Sequence, residues 1–308
     1  MLRAIRSLFF LLAILLSPIF ASGQQEKKIR VLLIGNSFSQ NATRYLDQIT
    51  AAKGYTIEFG RAEIGGCSLQ RHWDSVAASV TDTTRGKLYS NRKLSLLNFL
   101  QRGNWDVITI QQASMQSGDS ATYQPYGKNL YTFIKKYQPN ARILVHQTWP
   151  YRSDAKVFGK IDGEQQAVSQ KEMWEKSRMA YHKLAKDLNL DLFPSGDAFY
   201  AVATNSKWAF VKDTAFNYNT VKPPSLPVQK NSLNIGYALN REGELTFDPN
   251  HANEAGCYLL GLVWYAVLFN ENPKEVQFKP ESISAAFASF LKQTAYSTVK
   301  NLKRKKVK

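Results

Sequence analysis

Apolar residues in this chain gather into short runs separated by longer amphipathic stretches. Residues 28–35 (KIRVLLIG) form an unbroken apolar run rich in β-branched side chains, the pattern of a strand buried on both faces. Residues 105–110 (WDVITI) and 141–145 (ARILV) repeat it, 55–59 give a weaker strand, and 191–193 a short fifth. Helical periodicity lies between them at 43–53, 92–101, 126–137 and 164–188. In the last, Met173, Ser177, Ala180, Tyr181, Leu184 and Leu188 recur at three- and four-residue spacing. Strands alternating with helices predict an α/β fold, a three-layer α/β/α sandwich with about five parallel strands. Two more helices, near 253–269 and 282–302, close the chain.

The alternation fails at 205–247, which carries Pro223, Pro224 and Pro227 together with Trp208, Phe210, Phe216 and Tyr218. That is too long for an ordinary connection and reads as a functional loop or a local excursion. No internal repeat is present.

Composition narrows the class. A hydrophobic fraction of 44% excludes a mostly disordered chain. Two cysteines exclude a disulfide framework and a four-thiolate zinc site. Lys and Arg number 40 against 24 Asp and Glu, a net charge of +16. Part of this lies at the ends: Arg3 and Arg6, then Lys300, Lys303, Arg304, Lys305, Lys306 and Lys308 in a basic tail at 300–308. Such a tail suits an anionic partner or is simply a solvated terminus. No aromatic residue interleaves it, so nucleic-acid stacking is not expected.

Residues 1–23 have the layout of a secretory signal: a charged start, an apolar stretch from Leu8 to Leu16, and Ala21-Ser22-Gly23 before Gln24. The expectation is a periplasmic or secreted protein, with one domain over 24–299 and no membrane-spanning segment after cleavage.

Open parallel sheets bind ligands beyond the C-terminal ends of their strands. The residues found there are Gly35-Asn36-Ser37, then Gly65-Gly66, then Gln111-Gln112, then His146-Gln147-Thr148-Trp149. Near the chain end Asp248-Pro249-Asn250-His251 directly precedes a helix. Each piece alone is common. Their order resembles the SGNH (GDSL-type) hydrolases, in which a Ser follows the first strand, a Gly the second and an Asn the third, and D-x-x-H lies near the C-terminus. The matching blocks here are 35–37, 65–66 and 248–251, and the resemblance spans most of the chain after residue 24. Two positions depart from it. Asn36 stands where Asp is usual, and the third block lacks G-x-N-D but offers Gln111 or, in the alternative register, Gln112. Some carbohydrate-deacetylating branches carry Gln at this point.

The resemblance implies a flavodoxin-like fold and a serine esterase without a cofactor. Ser37 would be the nucleophile, His251 its general base, and Asp248 the group orienting the imidazole. The oxyanion donors would be the backbone N–H groups of Ser37 and Gly66 and the side-chain amide of Gln111. Gln147, Trp149 and His72 are candidate substrate contacts, with core packing the alternative for Trp149 and His72. His72, His146 and His182 share no metal-ligand spacing, so no metal is expected. Cys67 and Cys257 either pair or remain buried thiols. Neither nucleotide-binding glycine pattern occurs. The expected substrate is an acylated small molecule or polysaccharide, with O-acetyl carbohydrate the leading choice. A lipid or thioester hydrolase, or a non-catalytic carbohydrate- or surface-binding protein on this scaffold, are the alternatives.

Overall fold

The computed structural model describes residues 27–218 and 225–306. The proposed signal at 1–23 and the final residues of the basic tail lie outside this range. Five strands form the central sheet: β1 (Lys27–Gly35), β2 (Tyr55–Glu63), β3 (Val107–Ile110), β4 (Arg142–His146) and β7 (Asp191–Phe193). They are parallel throughout, in the order β2-β1-β3-β4-β7. A small antiparallel pair, β5 (Lys160–Asp162) and β6 (Gln165–Gln166), lies between β4 and β7 in the chain.

Alternation along β1 explains the three layers. Val31 and Leu33 enter one core and Leu32 and Ile34 the other, all fully buried. The first core is closed by α1 (Ser37–Thr43), α2 (Leu46–Thr50), α7 (Ser195–Ala203), α8 (Glu254–Leu268) and α9 (Ala285–Lys306). The second is closed by α3 (Leu69–Thr81), α4 (Leu96–Arg102), α5 (Tyr126–Tyr137) and most of α6 (Gln170–Asp187). In α8 every residue from Ala255 to Val267 is buried, so it is a core helix rather than an amphipathic surface one. Among the described residues no helix is long and apolar enough to cross a membrane.

Two stretches are defined further by the structure. The 205–247 region is not all loop: β8 (Asn234–Leu239) pairs antiparallel with β9 (Leu245–Ala252), and the hairpin lies outside the main sheet. Residues 300–306 continue α9, with the Lys303 ammonium on the Asn270 side-chain oxygen. The two cysteines are both buried, unpaired thiols; burial pushes each up to about 11.

Candidate active site

β1 ends at Gly35, and the chain turns at once into α1. Asn36 caps that helix, its side-chain oxygen accepting the Phe38 N–H at 3.1 Å. Ser37 therefore opens the helix, half-buried at the C-terminal end of β1. Its backbone N–H has no hydrogen-bond partner among the described residues and sits at the positive end of the helix. A second loop is stitched beside it. The Ile64 N–H donates to Gly35 O at 3.2 Å, and the Asn36 side-chain amide donates to Cys67 O at 3.1 Å. Gly66 lies in this turn at φ +62°, exposed, with open space where a Cβ would be. Its left-handed backbone and bare face are what a close backbone donor needs.

The third part arrives on the hairpin. His251 Nε2 lies 2.8 Å from Ser37 Oγ, and His251 Nδ1 lies 2.7 Å from Asp248 Oδ2. Asp248 Oδ1 accepts the backbone N–H groups of Asn250 (3.0 Å) and His251 (2.9 Å), which closes the four-residue turn on its own carboxylate. Asn253 then caps α8 by accepting the Gly256 N–H at 3.0 Å. The structure thus brings Ser37, His251 and Asp248 into one hydrogen-bonded line.

The surroundings hold that line in place. Phe38 packs under the imidazole with ring centroids 5.8 Å apart, and Trp149 lies 4.2 Å from Phe38. The Trp149 indole N–H donates to Asn250 O at 2.9 Å, the Arg152 N–H to Pro249 O at 2.9 Å, and the Ala252 N–H to Asn41 Oδ1 at 3.1 Å. Arg152 itself is 2% exposed. It pairs with both oxygens of Asp154, bonds Gln229, and lies over the rings of Phe210, Tyr237 and Phe247. Gly236, paired with Asp248 across the hairpin, adopts φ +68°; a Cβ there would lie 1.9 Å from an Arg152 nitrogen. Glycine is required at this point for both reasons. Sequence reasoning does not single out Arg152, and only its place past the end of β4 hints at a role.

Charge follows the geometry. The hydrogen bond to Asp248 raises the His251 pKa above the ordinary 6.5, with partial burial working against it. Half-burial raises the Asp248 carboxyl, but the hydrogen bonds from His251 outweigh this and hold it below the ordinary carboxylate value. Neutral His251 is the form that accepts a proton. Ester turnover should therefore fall as pH drops through the raised His251 pKa, and the acid limb of kcat/KM should lie above pH 6.5. A pH–rate profile checks this, and a midpoint below 6.5 contradicts it. The linked stability terms have opposite signs. The His251 contribution is full below the free imidazole pKa and is lost as pH rises through the folded one. The Asp248 contribution is full above the free carboxylate pKa and is lost as pH falls through its depressed one.

Other expected site residues are placed differently. Gln111 is fully buried: its side-chain N–H donates to Asn36 Oδ1 at 2.5 Å and its oxygen meets His146 Nδ1 at 2.7 Å. Gln112 is also fully buried, bonded through its amide to Thr122 and through its oxygen to the Leu69 and Ala113 N–H groups. Neither is an exposed oxyanion donor; Gln111 instead fixes Asn36, which fixes the turn around Ser37. Gln147 is fully buried and clamps Asp197 at the start of α7. Trp149 is 1% exposed, stacked on Phe199, and so supports the site from behind instead of meeting a sugar. His72 is a core residue bonded to the Tyr89 hydroxyl at 2.7 Å, and burial pushes its pKa down to about 4.

The fold and this line of side chains define an α/β protein built like the SGNH hydrolases, with the three blocks of the resemblance meeting at one rim of a five-stranded parallel sheet. The chain belongs to the family described as domain of unknown function DUF4886, whose model matches residues 30–219. A DUF4886 family protein from Bacteroides uniformis ATCC 8492 has a similar structure: TM-score 0.64 at 23% identity, covering 89% of this chain and 95% of that one. Lower similarity extends to the periplasmic domain of a lipopolysaccharide acetyltransferase from Salmonella ser. Paratyphi A, with TM-score 0.46 at 12% identity over 80% of this chain and 85% of that one. An acetyl xylan esterase gives TM-score 0.42 at 16% identity over 78% and 100%. No curated protein matches the chain.

Proposed function

We propose that this protein is a secreted serine esterase that removes short acyl groups, foremost O-acetyl, from carbohydrate. The observation that carries the proposal is the Ser37–His251–Asp248 hydrogen-bond line at the rim of the sheet. In the proposed reaction Ser37 Oγ attacks the ester carbonyl carbon while its proton passes to His251 Nε2. The oxyanion faces the free N–H of Ser37 and that of Gly66, each donor contributing about 3 kcal/mol to the transition state. His251 then gives its proton to the departing alkoxide, releasing the alcohol and leaving acyl-Ser37. A water, deprotonated by the same imidazole, frees the acid and restores Ser37.

Two features favour a hydrophilic alcohol over a lipid. The signal-like residues 1–23 suit an extracytoplasmic substrate. The cleft beside the 64–67 turn carries the charged and polar side chains of Arg71, Asp74, Lys87, Asn91 and Arg92. A series of aryl esters, run beside acetate release from an acetylated polysaccharide, tests the reading. Rates should be highest for acetate and fall with acyl length. Rates that rise with length would point to a lipid hydrolase, and no turnover of any ester would leave a carbohydrate-binding protein on this scaffold.

A further inference from the structure

The cleft beside the glycine turn has a charge pattern that ester hydrolysis alone does not need. It has a volume of about 520 Å³ and lies between α3 and the loop that leads to α4. Ile64, at the start of the turn that presents Gly66, forms part of its wall. Arg71 and Asp74 contribute from α3; Lys87 and Arg92 contribute from the loop. That is three cations against one carboxylate. None of the four makes a side-chain hydrogen bond or ion pair among the described residues, in contrast to such pairs as Lys28–Glu58, Arg142–Asp191 and Lys183–Asp187.

The loop is held in a costly shape. Ser90, Asn91 and Arg92 are consecutive non-glycine residues at φ 50°, 56° and 64°. Left-handed backbone is disfavoured for each of them, so the segment persists only because its surroundings hold it. They do so firmly. Tyr89 and Leu94 exchange backbone hydrogen bonds at 3.0 and 3.1 Å, the Tyr89 hydroxyl meets His72 on α3, and Ser75 Oγ donates to Gly86 O at 2.6 Å. The loop is thereby pinned to the helix that carries Arg71, with unpaired cations on both walls.

We propose that this cleft is a substrate subsite for an anionic group, a carboxylate or sulfate on the saccharide that bears the ester. The inference rests on the esterase reading for its place in the reaction, but anion binding itself does not. Like-charged groups left unpaired in a concave site attract an opposite charge more strongly than the same groups spread over an open surface. Uronate carboxylates and sulfate esters share this chemistry and are separated by experiment.

Affinity electrophoresis of the Ser37→Ala protein tests binding without turnover. The gels contain polygalacturonate, dextran sulfate or neutral dextran. The variant R71Q/K87Q/R92Q should weaken retardation by one of the polyanions about tenfold, and the polymer affected identifies the anion. The control K300Q/K303Q/R304Q, which removes equal charge from α9, should change it less than about twofold. Neutral dextran should retard none of them. Arg92→Gln alone, on the loop and away from α3, should give part of the loss without risk to the helix. Equal weakening by both triple variants would show only the attraction of a basic protein for polyanions, and no weakening would show an idle cleft; either overturns the proposal. In the Ser37-containing protein R71Q/K87Q/R92Q should lower turnover of the acetylated polyanion more than turnover of a neutral aryl acetate, and an equal loss on both would also overturn it. Absence of aryl acetate turnover in the unaltered protein, with cleft-dependent retardation intact, would sink the esterase and support the anion site.

Discussion

Replacing Ser37 with alanine is expected to lower kcat/KM for an aryl acetate by on the order of 10⁴-fold or more. The reason is local. The hydroxyl is the atom that His251 Nε2 faces at 2.8 Å, and no second hydroxyl occupies that place. The structural cost should be small. Ser37 is half-buried, its side chain bonds only His251 among the described residues, and the cap on α1 comes from Asn36. A chromogenic assay beside thermal unfolding separates the two effects: turnover should vanish while the unfolding midpoint hardly moves. Any residual rate above water would come from substrate binding and the oxyanion donors. Equal rates in the two proteins would remove Ser37 as nucleophile and the esterase with it.

Asp248→Asn should be nearly as damaging, with a loss on the order of 10⁴-fold, and by a different route. Two backbone N–H groups, of Asn250 and His251, point at Oδ1 of Asp248. An asparagine must keep its oxygen there, since its NH₂ cannot accept those bonds. The NH₂ would then face His251 Nδ1, which becomes an acceptor, and the ring proton moves to Nε2. That tautomer cannot take a proton from Ser37. The prediction is an intact turn with an unusable imidazole. Nitrogen chemical shifts of His251 should report the exchanged tautomer alongside the lost kcat. A loss smaller than tenfold would mean that Asp248 does not set the proton's position.

The sheet is legible in the sequence because strands buried on both faces leave unbroken apolar runs. The run at 28–35 becomes β1, and 191–193 becomes β7. Helix α3 is not legible, for a physical reason. Its inward positions are Leu69, His72, Ser75, Val76 and Ser79, so polar side chains interrupt the apolar stripe. His72 and Ser75 turn inward to bond Tyr89 and Gly86, partners that only the folded chain supplies. The start of α4 misleads in the same way. Helical spacing suggests 92, whereas Arg92 is left-handed and the helix begins after Ser95, which forms a capping box with Asn98.

The site divides along a similar line. Ser37 and the Asp248–His251 turn can be read because their geometry is made by neighbours in sequence: a cap, a four-residue turn and the start of a helix. Gln111, Gln147, Trp149 and His72 cannot. A polar or aromatic residue past the end of a strand, or early in the helix that follows, serves equally well to touch a ligand or to tie two loops together, and burial decides which. Here burial assigns all four to holding loops. The same ambiguity hides Arg152, whose partners come from residues 154, 229 and 232 and from three rings.

The hairpin of β8 and β9 is an appendix to the parallel sheet, and the stretch that the family model matches, 30–219, ends before it begins. The Ser37 hydroxyl and the His251 imidazole thus come from separate parts of the chain, one inside the matched stretch and one beyond it. A match over that stretch alone does not report whether the imidazole is present. A glycine opposite the aspartate and a buried arginine against it are the marks by which this hairpin can be sought in another chain.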